Sequence, residues 1–501
     1  MIRPSSEEFK SLAGQGNLVP VCRELMADEE TPLSVYRKLT AGSPAHSFLL
    51  ESVEGGEHLG RFSFVGFEPR RIFRVSEGEL RIDENGKTER RAIAGDPLAA
   101  LEAEMKAFRQ VQVPGMPRFT GGAVGFFGYE YLSSLEPVPR AKHHDLRTPD
   151  LYFMIMDSVV VFDRVRQSMQ IVVHAATGPG IDADRSYQDA VARIERIEER
   201  VRAKSIPSLL PLGGDAPPVE FKSGVEKPRF LQMVEKAKEY IHQGDVIQTV
   251  ISQRFSAATR ADPLTLYRAL RTVNPSPYMF LMQLEGFSLV GSSPEIHVRC
   301  EEGVVEIRPI AGTRPRGRTT AQDLANEKDL LADQKERAEH LMLVDLARND
   351  IGRVCEINSV RVEEFMTIER YSHVMHIVSQ VEGHLSKDQT PFGLLRATFP
   401  AGTVSGAPKI RAAQIIAELE ATQRGPYAGA LGYFSFGGNL DSCITIRTVL
   451  LKDGHAYVQT GAGIVADSVP ENEYQETVNK AKAMFKAVSL AEALSRTVSS
   501  P

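Results

Sequence analysis

Two pairs of glutamates have the spacing and the setting of metal ligands. Glu336 and Glu339 lie in the segment DQKERAEHLMLVDLARND, and Glu473 and Glu476 lie in VPENEYQET. Residues three apart share one face of a helix, and here that face continues into apolar residues suited to burial. Unpaired carboxylates on an apolar face are costly, so four of them favour convergence on a hard divalent cation, for which Mg²⁺ is the natural candidate.

A simpler interpretation exists for the second pair. Glu476 and Lys480 are four residues apart and would form an ordinary ion pair on a solvated helix face. For that pair alone, the solvated face is the favoured interpretation. The second copy of the pattern shifts the balance toward a metal site.

The glycines that precede the second pair also have two interpretations. Gly461-Ala462-Gly463, followed by Ala466, has the spacing of a dinucleotide-binding loop. That fingerprint needs a helix directly after the glycines and an acidic residue about twenty positions later on a second strand, and the sequence predicts neither. The glycines therefore indicate either a close approach of backbone N–H groups to an anion or a tight turn.

Composition narrows the class of protein. The chain has 501 residues, 42% of them hydrophobic and 25% charged, and its net charge of −6 argues against a nucleic-acid partner. Its four cysteines lie far apart, which argues against a disulfide framework or a zinc site. We find no secretory leader and no apolar run long enough to span a bilayer, so we expect no membrane partner and a cytoplasmic location.

The elements that must position these residues are strands and helices in a mixed order. Period-two alternation predicts antiparallel hairpins from residue 47 to about 175, and a proline- and glycine-rich stretch predicts a linker near 205–225. The second half mixes strands with helices near 262–273, 322–349, 406–421 and 471–490. The predicted class is therefore α+β, with large antiparallel β-sheets forming a sandwich and helices packed outside, divided into units at 15–205 and 225–495.

Several long motifs then identify a family by resemblance. The segments PIAGTRPRG, KERAEHLMLVDLARND, SHVMHIVSQVEG, FPAGTVSGAPKIRA, RGPYAGALGYF and QTGAGIVADSVPENEYQET resemble the chorismate-utilising enzymes through essentially all of residues 225–490. Within that family, SFLLES at 47–52 and NPSPYMF at 274–280 are similar to the large subunits of anthranilate synthases. The resemblance implies that ammonia adds to chorismate, that pyruvate is then eliminated, and that 225–495 is the catalytic domain.

The resemblance also implies roles for individual residues. His376 matches the general acid that protonates the departing hydroxyl. Further catalytic candidates are Glu295, Thr403 and Gln248. The implied substrate-binding residues are Gly312, Thr313, Tyr427, Arg447, Gly461, Ala462, Gly463 and Lys480. Glu339 and Glu476 match the Mg²⁺ ligands, with Glu336 and Glu473 as neighbours.

Two positions discriminate among sister enzymes. Aminodeoxychorismate synthases typically carry an active-site lysine where this chain has Ala311, which argues against that alternative. Isochorismate and salicylate synthases carry a lysine base where Gln248 stands, and an amide cannot serve as that base. A noncatalytic tryptophan sensor of the same fold remains a second alternative, because fold does not guarantee activity.

The implied partners are a glutaminase and an inhibitor. None of the four cysteines lies in a setting suited to a glutaminase nucleophile, so a separate glutamine amidotransferase subunit is expected to supply ammonia, in a heterotetramer of two large and two small subunits. L-Tryptophan is expected as a feedback inhibitor that clamps the N-terminal module, 15–205, against the catalytic one. The implied tryptophan-binding residues are Leu50, Glu51, Ser52, Asn274, Pro277, Tyr278, Met279 and Cys443.

Overall fold

The computed structural model describes residues 2–42, 45–52, 60–204, 216–371 and 374–498. The predicted linker near 205–225 lies largely outside these described residues. No helix in the described segments is both long and apolar enough to cross a membrane. All four cysteines are buried and free.

The strands are β1 (Ile2–Arg3), β2 (Leu18–Met26), β3 (Ser47–Glu51), β4 (Phe62–Gly66), β5 (Arg71–Ser76), β6 (Glu79–Glu84), β7 (Lys87–Ala92), β8 (Gly122–Phe127), β9 (Leu151–Met156), β10 (Ser158–Asp163), β11 (Ser168–Ala176), β12 (Lys222–Ser223), β13 (Gln248–Ala258), β14 (Tyr278–Gln283), β15 (Phe287–Ser293), β16 (Ile296–Glu301), β17 (Val304–Ile307), β18 (Ile310–Pro315), β19 (Arg361–Arg370), β20 (Val374–His384), β21 (Gly406–Ala407), β22 (Ala430–Ser435), β23 (Leu440–Ile444), β24 (Thr448–Lys452) and β25 (His455–Ile464).

The helices are α1 (Ser6–Leu12), α2 (Pro32–Leu39), α3 (Leu98–Lys106), α4 (Leu132–Leu135), α5 (Ala183–Arg202), α6 (Lys227–His242), α7 (Pro263–Val273), α8 (Thr320–Ala332), α9 (Gln334–Gly352), α10 (Pro391–Thr398), α11 (Lys409–Leu419) and α12 (Pro470–Val498). Short 3₁₀ turns occur at Tyr129–Tyr131 and Gly402–Val404.

Two large antiparallel sheets form the centre of the molecule, which confirms the predicted α+β class. The first sheet has the strand order β1-β2-β11-β10-β4-β3-β14-β15-β24-β25-β13-β12, with β21 paired to β13. The second has the order β18-β20-β17-β16-β23-β22-β8-β9-β5-β6-β7, with β19 paired to β20. The hairpins predicted before residue 175 therefore belong to both sheets.

Each sheet contains strands from both halves of the chain. In the first sheet β3 pairs with β14, and in the second sheet β8 pairs with β22. The division into units at 15–205 and 225–495 stays a prediction, and both ranges contribute strands to each sheet.

Alternation along β14 shows how the layers pack. Phe280 and Met282 point into the core between the two sheets, whereas Met279 and Leu281 point to the opposite face. That opposite face of the first sheet is covered by apolar residues of α5, α7 and α12. On the second sheet, apolar residues of α3 and α10 cover the outer face, whereas α6 and α11 pack against β13 at the far end of the first sheet. Period two with both faces buried gives the strand its continuous apolar sequence, YMFLM.

The single helix predicted at 322–349 is wrong in one respect, because the structure has two helices there. The break lies at Asp333, which follows α8 and caps α9 by accepting hydrogen bonds from the backbone N–H groups of Lys335 and Glu336. A carboxylate at an N-cap stabilises the first turn of the helix that follows it. The cap places Glu336 in the first turn of α9 and Glu339 one turn later.

Candidate active site

The two predicted glutamate pairs lie within electrostatic reach of each other. Burial raises the pKa of Glu339, and the negative charges of Glu336 and Glu476 raise it further, while Lys480 opposes them. Burial likewise raises the pKa of Glu473, and the charge of Glu476 adds to this effect. Like charges therefore accumulate where the first turns of α9 and α12 approach each other.

The carboxylates do not form a closed ligand cluster. Among the residues that the structure describes, no group of three or more His, Cys, Asp or Glu side chains is arranged to hold a metal ion. Glu476 instead pairs with Lys480 at 2.6 Å, as the solvated-face interpretation expects. The donor set still suits Mg²⁺, because that ion keeps several waters and is commonly bound by only one or two protein carboxylates together with substrate oxygens. Glu339 and Glu476 fit that description.

His376 lies on β20 directly opposite Thr313 of β18. Its Nδ1 is 2.9 Å from the carbonyl oxygen of Gly312, which can only accept, so Nδ1 donates the hydrogen bond and Nε2 faces away from it. Burial lowers the pKa of His376, and the positive charge of Arg447 lowers it further. An imidazolium formed here would therefore release its proton readily.

Gly312 has a second role in this arrangement. Its φ of +69° lies in the left-handed region, and a Cβ atom at this position would stand 3.2 Å from Oε2 of Glu336. Only glycine meets both demands without strain. The bulge in the β18–β20 pairing at Gly312 therefore places the His376 ring and the first turn of α9 side by side.

Arg447 is a half-buried cation with no direct partner among the described residues. In the part of the chain that the structure describes, its guanidinium makes no hydrogen bond and no ion pair within 4.0 Å. Burial lowers the pKa of Arg447, whereas Tyr427, Glu295 and Glu476 act from a distance to raise it. A fork-shaped cation of this kind is suited to binding a carboxylate in two places.

Glu295 is a buried acid whose charge interacts with that of Arg447. Burial raises the pKa of Glu295 to about 7, against the opposing effects of the Thr403 hydroxyl and the positive charges of Lys480 and Arg447. The Thr403 hydroxyl is near this carboxyl without completing a hydrogen bond of normal geometry. Both residues line a cavity of about 390 Å³ between β16, α9 and the Gly402–Val404 turn.

The predicted glycine segment is a strand and not a loop. Gly461, Ala462 and Gly463 belong to β25 and pair with β13 opposite Ser252, Ile251 and Val250. The tight-turn interpretation is therefore wrong. Added Cβ atoms would stand 2.8 Å from the Tyr427 hydroxyl at Gly461 and 2.4 Å from Nε2 of Gln248 at Gly463. The glycines therefore let two candidate side chains approach the strand closely.

Lys480 and Gln248 both lie against the glycine strand β25. The Lys480 ammonium donates to the Gly461 carbonyl at 3.0 Å, which ties α12 to β25. The Oε1 atom of Gln248 is buried without a hydrogen-bond partner among the described residues. Burial raises the pKa of Tyr427 to about 12, so its hydroxyl keeps its proton at neutral pH. Glu295 and Thr403 thus line one cavity and Tyr427 lines another, and the assignment of these residues to a single active site stays a prediction.

A second cavity lies where β3 meets β14. It contains about 500 Å³ of space, including its open mouth. Seven of the eight residues predicted to bind tryptophan line it: Leu50, Glu51, Ser52, Pro277, Tyr278, Met279 and Cys443. The exception is Asn274, which lies outside the lining and donates to the Ser292 hydroxyl at 2.8 Å.

Sequence reasoning missed the charged residues in this second cavity. Tyr278 donates to Asp441 at 2.9 Å, and Arg118 and Arg299 each lie 3.4 Å from the same carboxylate. Arg299 and Asp441 occupy buried strands, and a charged residue inside an apolar strand is the signal that could have found them.

Comparisons with known proteins agree with this arrangement. Residues 46–486 match the family described as chorismate binding enzyme. Anthranilate synthase component 1 of Acetivibrio thermocellus is 48% identical over 495 residues, covering 98% of this chain and 99% of that protein.

Solved structures give the same result. Anthranilate synthase component I from Streptococcus pneumoniae TIGR4 is 38% identical, with a TM-score of 0.75 over 92% of this chain and 99% of that one. The menaquinone-specific isochorismate synthase from Escherichia coli shares the fold at 18% identity, with a TM-score of 0.68 over 97% and 99% of the two chains. The family match and these identities over nearly the full length show that the chain belongs to the chorismate binding enzymes.

Proposed function

We propose that the chain is the large subunit of an anthranilate synthase, which converts chorismate and ammonia to anthranilate and pyruvate. The names of its relatives support this, at identities near half over almost the whole chain. The observation that carries the proposal is Arg447, a half-buried guanidinium without a protein anion at hydrogen-bond distance in the described residues, whose charge acts on His376. Chorismate is a dicarboxylate with a hydroxyl that must leave, and it matches both groups.

The geometry supports the following roles in substrate binding and proton transfer. Arg447 and the Tyr427 hydroxyl hold the enolpyruvyl carboxylate against the backbone of the glycine strand. His376 delivers a proton from Nε2 to the departing ring hydroxyl, while Nδ1 stays fixed on the Gly312 carbonyl. Because the pKa of His376 is lowered, the protonated ring is a stronger acid than a solvent-exposed histidine would be.

Mg²⁺ is the proposed cofactor, held by Glu339 and Glu476 with Glu336 and Glu473 close by. When bound, it supplies positive charge to the ring carboxylate of chorismate. Burial is the main cause of the raised pKa values of Glu339 and Glu473, and neighbouring glutamate charges add to it. These shifts support a cation here, because a bound cation would offset both effects.

Ammonia is proposed to enter beside Gln248, Glu295 and Thr403. The unpartnered Oε1 of Gln248 can accept a hydrogen bond from ammonia and cannot act as a base. A separate glutamine amidotransferase subunit supplies the ammonia, in a heterotetramer of two large and two small subunits. The component 1 names of the relatives support a second component.

The decisive experiment is to incubate the purified chain with chorismate, Mg²⁺ and ammonium. We expect fluorescent anthranilate and pyruvate in equal amounts. A para-amino product would assign the chain to the aminodeoxychorismate synthases, and absence of turnover would favour the noncatalytic sensor.

L-Tryptophan is the proposed inhibitor, bound in the cavity between β3 and β14. The aromatic residues Phe62, Phe64, Tyr278, Phe280 and Tyr433 and the paired charges of Asp441 support a ligand with an apolar ring and ionic groups. Ser52→Phe should fill the mouth of the cavity and relieve inhibition while leaving turnover largely intact. The measurement is anthranilate formation against tryptophan concentration, with Val165→Phe on the exposed surface as control. Inhibition at the wild-type concentration in Ser52→Phe would refute the cavity.

A further inference from the structure

Arg424 is among the largest fully buried side chains in the described residues, and neither the sequence motifs nor the proposed function gives it a role. Its guanidinium forms two hydrogen bonds with the Glu420 carboxylate, at 2.8 and 2.7 Å. It also donates to the carbonyl oxygens of Val404 and Val250, both at 2.8 Å.

Val404 and Val250 each belong to a segment that carries a candidate site residue. Val404 ends the Gly402–Val404 turn, which contains Thr403. Val250 lies on β13 two residues after Gln248, and it pairs directly with Gly463. One guanidinium therefore ties the Thr403 turn to the Gln248 strand.

The third segment is the loop that contains Arg424 itself. The guanidinium carbon lies 4.6 Å from the ring centre of Tyr129 and 5.5 Å from that of Tyr427. The backbone N–H groups of Arg424 and Gly425 donate to the Glu130 carboxylate at 2.7 and 2.9 Å, and these hydrogen bonds hold the loop in place. The Tyr427 ring is thus supported on the face of a buried cation.

Glu420 extends the same network to the glycine strand. Its Oε1 accepts hydrogen bonds from the backbone N–H and the hydroxyl of Ser252, at 2.8 and 2.9 Å. Ser252 lies opposite Gly461 in the β13–β25 pairing. The Arg424–Glu420 pair consequently contacts β13 at Val250 and Ser252. It also contacts the Tyr427 ring and the turn that contains Thr403.

A buried ion pair is often no better for stability than apolar residues of the same volume. Its fixed geometry is better suited to holding separate segments in one arrangement. We propose that Arg424, locked by Glu420, is a positioning residue that sets Tyr427, Gln248 and Thr403 at the spacing chorismate and ammonia require. The proposal rests on the proposed function, and it assigns Arg424 no contact with substrate.

The test is Arg424→Lys in the full chain. Lysine keeps the charge but offers a single point donor, which cannot bind Glu420, Val404 and Val250 at once. We expect kcat/KM for chorismate to fall about 100-fold, with KM raised and kcat lowered, because misplacement by about 1 Å has effects of that size. Hydrogen exchange of residues 248–252 and 402–405 should become faster.

Arg193→Lys is the matched control. Arg193 binds Asp157 through two hydrogen bonds of 3.0 and 2.7 Å, on α5 and away from the cleft. We expect its kcat/KM to stay within twofold of wild type. A merely structural role for Arg424 would lower the thermal midpoint in both variants and leave kcat/KM unchanged in both, and that result overturns the proposal.

Two further outcomes are separable. If Arg424→Lys does not fold, Glu420→Gln replaces it, because glutamine retains the shape of glutamate and removes its charge. We expect a smaller fall in kcat/KM for chorismate in Glu420→Gln. A wild-type kcat/KM in that variant overturns the proposal. If the wild-type chain makes no anthranilate, the proposed function fails, and exchange rates in the two segments then decide whether Arg424 holds them together. Unchanged exchange there overturns the positioning role.

Discussion

Glu295 is a residue whose ionisation the fold controls through burial. The unfolded chain ionises this carboxyl near its ordinary pKa of 4.5, whereas burial in the folded chain raises the pKa to about 7. A raised carboxyl pKa means that the folded state holds the proton better than the unfolded state does. Its contribution to stability is therefore full below pH 4.5 and is lost as the pH rises through 7.

We predict that Glu295→Gln removes this pH dependence. Near pH 4 the free energy of unfolding of the variant should equal that of wild type. At pH 8 it should exceed the wild-type value by about 3 kcal/mol, since one pKa unit corresponds to about 1.4 kcal/mol. Chemical denaturation of both proteins at pH 4, 6 and 8 measures the difference. An equal difference at all three values would contradict the buried titration.

The glutamates proposed to bind Mg²⁺ allow a matched pair of substitutions. Glu339→Gln and Glu476→Gln should each lower kcat at least about 100-fold at moderate Mg²⁺, because an amide gives up the charge that binds the cation. Glu471→Gln is the control, since Glu471 lies in the first turn of the same helix as Glu476 and instead pairs with Lys227. Wild-type rates in both test variants, measured by anthranilate fluorescence, would defeat the metal assignment.

At the scale of elements, local sequence patterns predicted the individual strands and helices better than they predicted which strands pair. The strand and helix periods of 278–283 and 470–498 are visible in the residues themselves, and so is the cap Asp333 once its position is known. The pairing of β3 with β14 joins residues more than 200 positions apart, and no local signal specifies it. The motifs supplied the site residues. The sequence does not reveal the buried network around Arg424, because two of its partners are backbone carbonyls of distant segments.

In two strand pairs, an aromatic ring packs directly over a glycine of the neighbouring strand. Phe280 on β14 lies directly opposite Gly291 on β15, and a Cβ atom at Gly291 would stand 2.0 Å from the Phe280 ring. Gly66 and Phe48 repeat the arrangement between β4 and β3. A methyl group has no room in either place.

We predict that Gly291→Ala destabilises the protein by about 1–3 kcal/mol, the usual effect of overpacking a core. Gly352→Ala is the control, because no atom lies within 4 Å of a Cβ at that position. Thermal unfolding of the two variants beside wild type measures the contrast. Equal midpoints for Gly291→Ala and Gly352→Ala would show that the ring moves aside freely.

At the scale of the whole molecule, the two sheets join the halves of the chain more closely than a two-unit division suggests. Separating the chain between residues 204 and 216 would expose β3 and β14 in one sheet and β8 and β22 in the other. Each of these strands would then present a row of unpaired backbone groups, which is a template for aggregation. The apolar core between the sheets, which includes Phe48 and Phe280, would be divided as well.

We predict that residues 216–501 expressed alone are insoluble, and that co-expression with residues 1–204 yields a soluble complex that makes anthranilate. The physical reason is that neither fragment can cover its own inner sheet face, because the strands that pair with its edges lie on the other fragment. Soluble yield, far-UV circular dichroism and the ammonium assay measure the outcome. A monomeric, folded and active 216–501 fragment would instead establish residues 225–495 as an independent catalytic domain, with tryptophan control residing in a dispensable module.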